Sequence, residues 1–451
     1  MEKEDRLPSF APHTDEEIQQ MLADLGMSSL QELYSSIPAA LLRTEPLALA
    51  KDQSEIEVLE QFAQYGAENA AVRTVLVNFA GGGAYDHDLS AAARHLGTQS
   101  AFVTAYTPYQ PEVAQGVLQA LFEFQTIIAR LFGLPIANAS LYDGAASLVE
   151  AVNMAVGFTK ERRILVSAGV NPAYREALAT FGAGTRLSLE TIELGAGDAT
   201  SFPFTEDGAD GSKAGAVIVG YPNYFGAIED LKAARALADR RGALLIVVAD
   251  PIALGLLRSP GEFGADIVVG EGQSLGIPLS FGGPYLGLFA AKSEYVRLMP
   301  GRLVGETLDQ EGRRAFVTTL RTREQDIRRE KATSNVCTNQ TLMAIQAAIH
   351  MAWLGKQGFG LLARRNYDGA HYLAERLEEI GLAPSTTHFV REFTVRTPIS
   401  ATELQHRLLT HGFLAGVVPP GFDDRLVIAV TEARRRVEID SFVDTIAKEL
   451  R

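Results

Sequence analysis

The sequence predicts a doubly wound α/β domain followed by a smaller α+β domain. Short, continuous apolar runs alternate with helical segments in the first two thirds of the chain, as buried parallel strands joined by helices require. These runs lie at 163–167, 216–219 and 244–248. The pattern then changes to long helices and candidate strands at 390–395 and 426–430.

The start of the chain has a different pattern, typical of a helical arm. Thr14–Glu17 has the form of a capping box, and Gly26 follows at the point where the apolar spacing of a helix ends. A second short helix is expected from Ser29 to Ser36, ending before Pro38. We therefore expect three parts: an N-terminal helical arm at 1–65, a large α/β domain at 66–300 and a small α+β domain at 301–451.

Composition excludes several classes of partner. The 451 residues are 47% hydrophobic and carry a formal net charge of −14, which argues against nucleic acid or an anionic membrane as the main partner. The charged N-terminus lacks the apolar core of a signal peptide, and no apolar run approaches the roughly 20 residues that span a membrane. Cys337 is alone and the eight histidines lack metal-ligand spacing, so we expect no disulfide, no metal site and a cytoplasmic location.

The stretch around Asp250 is similar to the cofactor pocket of pyridoxal-phosphate (PLP) enzymes, but it lacks the lysine. Asp250 ends an apolar strand, where an aspartate can pair with the pyridine nitrogen of PLP. The Schiff-base lysine is expected some tens of residues later, ahead of a Gly-rich turn. Here Gln273, 23 residues on, stands in that place before the Gly282-Gly283 turn. Glutamine cannot form a Schiff base.

A second part of such a pocket is also altered. Small residues up to Ser147 begin a predicted helix, whose free amides could bind a phosphate. Asp143 at the cap would repel that phosphate. We therefore predict a degenerate PLP pocket formed by Asp250, Gln273 and Ser147.

Two turns contain residues that could serve binding. The turn from Tyr106 to Glu112 is rich in hydrogen-bonding side chains and stiffened by two prolines, which suits either a pocket or an interface; a plain helix start is the alternative. The glycines at 81–83 do not fit a dinucleotide fingerprint, because Asp86 takes its sixth position. We expect a turn that allows close backbone approach, with His87 as an exposed turn residue.

Five segments together resemble one family over essentially the whole chain. The resemblance is to the glycine decarboxylase P-protein of the glycine cleavage system, and within it to the alpha subunit (subunit 1) of the two-subunit bacterial form. The segments are Tyr106–Gln115 (YTPYQPEVAQ), Leu141–Ser147 (LYDGAAS), Gly272–Pro284 (GQSLGIPLSFGGP), Gly301–Thr307 (GRLVGET) and Arg328–Gln340 (RREKATSNVCTNQ).

This resemblance implies a fold and a reaction. The fold is the PLP-dependent transferase-like one, fold type I, similar to aspartate aminotransferase. The implied enzyme is glycine dehydrogenase (aminomethyl-transferring, decarboxylating): glycine loses its carboxylate as CO2 on PLP, and the aminomethyl group passes to the lipoyl group of the H protein. In that family the lysine belongs to the beta subunit, so PLP is expected to be covalently bound there and not in this chain.

The resemblance also implies partners and a contribution to their site. We expect an α2β2 heterotetramer with the glycine dehydrogenase beta subunit, which works with lipoylated H protein and leaves this chain inactive alone. Loops of one fold type I subunit complete the pocket of the other. The residues expected to line the partner's site are Tyr106, Thr107, Tyr109, Gln110, Gly282 and Gly283, the two glycines offering amides to the PLP phosphate.

Two other classes of protein compete with this interpretation. A scaffold or regulatory pseudoenzyme would bind a PLP-enzyme partner without touching substrate, and the degenerate pocket fits it equally well. The polar Tyr106–Glu112 turn favours the enzyme subunit, because a pure scaffold has no need of it. An independent NAD-dependent dehydrogenase is disfavoured, because the sequence has no intact dinucleotide fingerprint.

Overall fold

The chain forms two compact units, Met1–Asn69 and Ala70–Arg451. The computed structural model describes residues 12–43, 45, 47–50, 52–69, 73–103, 107–202, 212–321 and 325–451. The boundaries predicted at 65 and 300 stay predictions.

The described residues of the first unit form two α-helices, α1 (Asp15–Asp24) and α2 (Glu55–Ala67). Both begin with a capping box. The side chains of Thr14 and Ser54 accept from the amides of Glu17 and Glu57, and the two glutamate side chains accept from the amides of Thr14 and Ser54. The predicted helix at 29–36 is a 3-10 helix at Leu30–Tyr34.

The helices of the second unit lie between its strands and in its C-terminal part. They are α3 (Ala91–Gly97), α4 (Ser100–Val103), α5 (Gln115–Phe132), α6 (Gly144–Thr159), α7 (Pro172–Thr185), α8 (Leu231–Arg241), α9 (Gln325–Arg328), α10 (Thr341–Glu378), α11 (Ala401–Thr410) and α12 (Arg436–Glu449). Helix α10 bends at Gly355, whose φ of 60° is outside the helical region. No helix in the described ranges has the length and apolar character needed to cross a membrane.

The strands of the second unit are mostly short. They are β1 (Val77–Asn78), β2 (Ile136–Ala137), β3 (Arg163–Ser167), β4 (Ser188–Ile192), β5 (Ala216–Tyr221), β6 (Leu244–Ala249), β7 (Ile267–Glu271), β8 (Gly287–Ala291), β9 (Leu303–Leu308), β10 (Arg314–Thr319), β11 (Glu392–Arg396), β12 (Phe413–Leu414) and β13 (Arg425–Ala429). The apolar runs that predicted β3, β5 and β6 coincide with them.

Seven strands form the central sheet, in the order β2-β8-β7-β6-β5-β3-β4. Strands β7, β6, β5, β3 and β4 are parallel; β8 runs antiparallel to β7, and β2 in turn runs antiparallel to β8. The register pairs Val217 with Leu245 and Ile246 with Ile267. The predicted doubly wound sheet is confirmed, and its parallel strands end along one edge.

Alternate residues of the strands supply two separate cores. On β5, Val217 and Val219 pack in a cluster that includes helix α5, while Ala216 and Ile218 pack in a cluster that includes helix α6. Because successive side chains of a strand point to opposite faces, α5 and α6 cover opposite faces of the sheet.

A third core lies in the C-terminal part of the chain. It joins the second half of α10 with α11, α12 and the antiparallel pair β11–β13. Phe79 belongs to this core and stacks on Phe442 with ring centres 4.1 Å apart, and β1 beside it pairs with β12. The segment after β1 therefore runs from the C-terminal core towards the sheet edge.

Candidate functional site

A cavity of the second unit lies beyond the carboxyl ends of β3, β5 and β6. Its wall includes Gly169 after β3, Asn223 after β5 and Asp250 after β6. Arg391 and Glu392, at the start of β11 in the C-terminal part of the chain, close it from the other side. This is the edge of a doubly wound sheet where ligands usually bind.

Arg391 forms an ion pair with the carboxylate of Asp250. Its Nε and Nη2 donate to the two carboxylate oxygens at 2.7 and 2.8 Å, a bidentate geometry, and Oδ1 also accepts from the Ile252 amide at 3.0 Å. The Arg391 side chain is buried and lies 3.6 Å from the centre of the Tyr85 ring. A pyridine nitrogen would have to compete with this buried ion pair for Asp250.

His87 belongs to the same network, so the prediction of an exposed turn residue was wrong. It is 4% exposed; its Nε2 lies 2.5 Å from Arg391 Nη1 and its Nδ1 lies 2.9 Å from Glu432 Oε2. Because arginine can only donate, Nε2 is the acceptor and Nδ1 carries the proton. Burial alone would raise the pKa of Glu432, but His87 and the Asp88 amide lower it to about 2.

Gln273, at the predicted lysine position, forms a structural link. Its side chain is buried: Oε1 accepts from the Tyr85 amide at 2.9 Å, and Nε2 donates to the carbonyls of Tyr85 at 3.1 Å and Ile277 at 2.9 Å. All the polar atoms of this amide therefore connect the segment after β1 to the loop after β7.

Glu271 lies at the N-terminus of α6, where a phosphate would bind. Its Oε2 accepts from the Gly144 amide at 2.9 Å, and its Oε1 accepts from the amides of Gln273 and Leu286 at 3.0 Å. Burial raises the pKa of Glu271 to about 7, although the hydrogen bonds from these three backbone amides oppose the rise. A phosphate at these amides would meet a carboxyl group already in place.

The expected cap of α6 is present beside it. Asp143 Oδ1 accepts from the Ala146 amide at 2.7 Å, and Ser147 Oγ donates to the Asp143 carbonyl at 2.8 Å. Ser147 is fully buried in the first turn of α6 and is not part of the cavity wall. Of the three residues predicted to form a degenerate pocket, Asp250 lines the cavity, whereas Gln273 and Ser147 do not.

Glu392 completes the acidic side of the cavity. Its Oε1 accepts from the Gly82 amide at 2.6 Å and its Oε2 accepts from the Tyr85 hydroxyl at 2.9 Å. Burial raises the pKa of Glu392 to about 7, against the effect of these two bonds and of Arg391. The glycine turn at 81–83 was predicted to allow close backbone approach, and this is confirmed: a Cβ on Gly81 would lie only 2.2 Å from Glu392 Oε1.

These residues do not fit PLP. No lysine among the described residues lies in the cavity wall, Asp250 is paired with Arg391, and Glu271 accepts from the first amide of α6. Lys292 lies elsewhere and pairs with the buried Asp266 at 2.5 Å. In the described part of the chain, no group of three or more His, Cys, Asp or Glu side chains could hold a metal ion.

The predicted partner-facing residues that the structure describes do not line this cavity. Tyr106 is outside the described residues; Thr107 is half-buried, while Tyr109 and Gln110 are exposed. Gly282 and Gly283 form an exposed turn with φ of 108° and 141°, beside Phe281, which is 98% exposed. Their amides donate to the carbonyls of Leu279 at 2.9 Å and Ser280 at 3.4 Å, so both are engaged within the turn.

Buried Arg302 brings three of the quoted segments together. Its guanidinium donates to Tyr109 Oη at 3.1 Å, the Cys337 carbonyl at 2.8 Å and Asn339 Oδ1 at 3.2 Å. Arg302 and Arg321 lie 5.1 and 5.3 Å from the centre of the Tyr109 ring. We call Tyr109, Arg302, Cys337 and Asn339 the Arg302 cluster. Sequence reasoning missed it, although the segments that it joins had been singled out.

Comparison with known proteins gives consistent matches over nearly the whole chain. The sequence model of the family described as "Glycine cleavage system P-protein" matches residues 8–446. A probable glycine dehydrogenase (decarboxylating) subunit 1 of Prosthecochloris aestuarii is 45% identical over 441 residues, which cover 97% of this chain and 99% of that protein.

Solved structures agree with this match. A crystal structure of glycine decarboxylase (P-protein) of the glycine cleavage system, in inhibitor-bound form, has a TM-score of 0.89 and 41% identity, covering 98% of this chain and 99% of that one. Aspartate aminotransferase from Thermus thermophilus, at 16% identity and a TM-score of 0.57, covers 83% of this chain and 99% of its own; it shows the shared fold alone, PLP-dependent fold type I. The match to the family model and the 45% identity both span nearly the whole sequence, so this chain belongs to the glycine cleavage system P-protein family.

Proposed function

We propose that this chain is subunit 1 of a glycine decarboxylase and is inactive without a second, lysine-bearing subunit that holds PLP. The observation that carries the proposal is the cavity at the sheet edge, where Arg391 pairs with Asp250 and Glu271 accepts from the first amide of α6. The name "subunit 1" of the relative from Prosthecochloris aestuarii supports the existence of a second subunit.

The proposed division of labour leaves the bond-breaking chemistry to subunit 2. PLP bound there would supply the electron sink for loss of CO2 from glycine, before the aminomethyl group passes to the lipoyl group of the H protein. This chain would supply side chains that complete the wall of that site and exclude water. We further propose two copies of each subunit and a cytoplasmic location.

The Arg302 cluster is the part of this chain that we assign to the partner's site. Arg302 is buried and donates to the Tyr109 hydroxyl, which holds an exposed tyrosine in one orientation. The nearby Thr107 Oγ1 is buried and has no hydrogen-bond partner among the described residues.

The remaining predicted residues have different support. Gln110 is exposed beside Tyr109, and we assign it and Tyr106 to the same surface. We propose that the Gly282-Gly283 turn also faces the partner. Its amides would have to turn away from Leu279 and Ser280 to reach a phosphate.

Replacing Tyr109 by alanine tests this assignment in the assembled complex. We expect the glycine–bicarbonate exchange rate with lipoylated H protein to fall by at least about tenfold, because a misplaced wall residue disturbs the bound substrate. Association with subunit 2 should be retained. Val113→Ala is the matched control, since Val113 is exposed on the same Tyr106–Gln115 segment and lies outside the Arg302 cluster.

The result also separates the enzyme subunit from a scaffold. Full exchange activity with Tyr109→Ala and with Arg302→Lys would remove the Arg302 cluster from the site. That outcome would favour a protein that binds the PLP-containing partner without touching substrate.

A further inference from the structure

The first unit exposes most of its apolar side chains. Among its described residues only Leu22 is buried among the large hydrophobic ones, whereas thirteen are more than two fifths exposed. These are Met21, Leu25, Leu30, Leu33, Tyr34, Ile37, Leu41, Leu47, Leu49, Ile56, Leu59, Phe62 and Tyr65. Single exposed hydrophobic residues are normal on a protein surface, but such a density within 69 residues is not.

Helix α2 shows that this exposure is organised. At 100° per residue, its apolar side chains fall on one half of the helix and Glu57, Glu60 and Gln64 on the other. The exposed fractions are 69% for Ile56, 62% for Leu59, 66% for Phe62 and 53% for Tyr65. We call these four residues the apolar stripe. Ser54 caps the N-terminus of the helix, and no residue in the helix is buried.

Comparison with α5 shows what such a stripe normally does. Helix α5 is also amphipathic, and its apolar face is buried in the core that it shares with the sheet. Most of the stability of an amphipathic helix comes from such packing rather than from helix propensity. Helix α2 has the same kind of face, and no described residue of the first unit buries it.

The exposed area is large enough for a stable interface. With about half of each of thirteen large side chains exposed, the apolar area is on the order of 1,000 Å². Each partner in a stable protein–protein interface contributes about 800 Å². The first unit alone therefore offers enough surface for one.

Charge decides which partner fits. The first 69 residues hold 14 acidic and four basic residues, a formal net charge of −10 out of −14 for the whole chain. A second copy of this chain would bring the same excess of negative charge. Like charges across an interface disfavour association, so the charge balance favours a different protein with lysine and arginine around an apolar groove over a second copy.

We propose that the apolar stripe of α2 docks into a basic-rimmed apolar groove of subunit 2 and is a principal anchor of the complex. This inference rests on the proposed function only in that it takes subunit 2 as the partner. The stripe would anchor the complex, whereas the Arg302 cluster would act in the site.

Two matched glutamate substitutions on α2 test the proposal. Phe62→Glu places a charge in the stripe, and Gln64→Glu places the same charge on the polar half two residues away. The dissociation constant of the full chain for subunit 2 is measured by titration, with circular dichroism to check that each variant folds. We expect Phe62→Glu to weaken binding by at least about tenfold, as for a central apolar anchor, and Gln64→Glu to have little effect.

Other outcomes overturn the proposal in distinguishable ways. Equal binding by Phe62→Glu and the unchanged chain would remove the stripe from the interface and leave the proposed function standing. Equal weakening by both variants would mean that charge, not apolar contact, governs the association. A self-association of the lone chain that Phe62→Glu abolishes would assign the stripe to a second copy. Absence of any binding between the unchanged chain and subunit 2 would contradict the proposed function itself.

Discussion

The pair of Asp250 and Arg391 decides what the cavity can hold, and the two residues lie 141 positions apart in the sequence. The position of Asp250 after β6 could be predicted, because an apolar run leads directly to it. Arg391 gave no such signal, since nothing in its local sequence indicates which carboxylate it meets. The side chain that closes the cavity was therefore unpredictable from local pattern.

Removing the Arg391 guanidinium should destabilise the folded protein, because the partly buried carboxylate of Asp250 would lose its charged partner. We expect Arg391→Met to lower the free energy of unfolding by about 3–5 kcal/mol, measured by urea titration at neutral pH. The control is Arg364→Met, which breaks the exposed pair of Arg364 and Asp368 on α10 and should cost less than about 1 kcal/mol. Equal losses for the two variants would show that the buried pair does not hold the cavity together.

Glu392 should make the stability depend on pH in a defined direction. Burial raises its pKa from 4.5 to about 7 in the folded protein, so between these values the folded state binds more protons than the unfolded state. The free energy of unfolding that this group contributes therefore falls as pH rises from about 4.5 to about 7, and is constant above that.

Glu392→Gln isolates this effect, because the amide can still accept from Gly82 and donate to the Tyr85 hydroxyl. The variant should gain stability relative to the unchanged chain as pH rises through this window, by up to about 3 kcal/mol. Urea titrations at pH values from 4.5 to 8 measure the difference. A difference that is flat or shrinks with pH would contradict a raised pKa for Glu392.

At the scale of elements, the central sheet was the most predictable part. Strands β3, β5 and β6 are buried on both faces, so each appears in the sequence as a continuous apolar run. The cap of α6 by Asp143 was also predictable, because capping depends on residues within one turn.

Elements and residues that depend on distant contacts were predicted less well. The helix expected at 29–36 is a 3-10 helix without a buried residue, so no packing stabilises a longer one. His87 was expected to be an exposed turn residue, yet its ring nitrogens lie against Arg391 and Glu432. The Arg302 cluster likewise joins residues that are close only after folding.

At the scale of the whole chain, charge and apolar exposure are distributed unevenly. The residues after Asn69 contain the three apolar cores, while the first 69 residues carry most of the net negative charge and expose most of their described hydrophobic side chains. A stretch with this composition gains stability mainly by covering its apolar face. This distribution suits a protein whose final structure includes a second chain.

One reconstitution tests the central claim, that this chain supplies part of a site whose cofactor is held by its partner. The chain is purified alone and with the lysine-bearing subunit 2, and PLP is added to both. The visible absorbance of lysine-bound PLP and the glycine–bicarbonate exchange with lipoylated H protein are then recorded. We predict absorbance and exchange with both subunits present and neither with this chain alone. Absorbance and exchange from the lone chain would contradict the account, because another lysine would then do the work that Gln273 cannot.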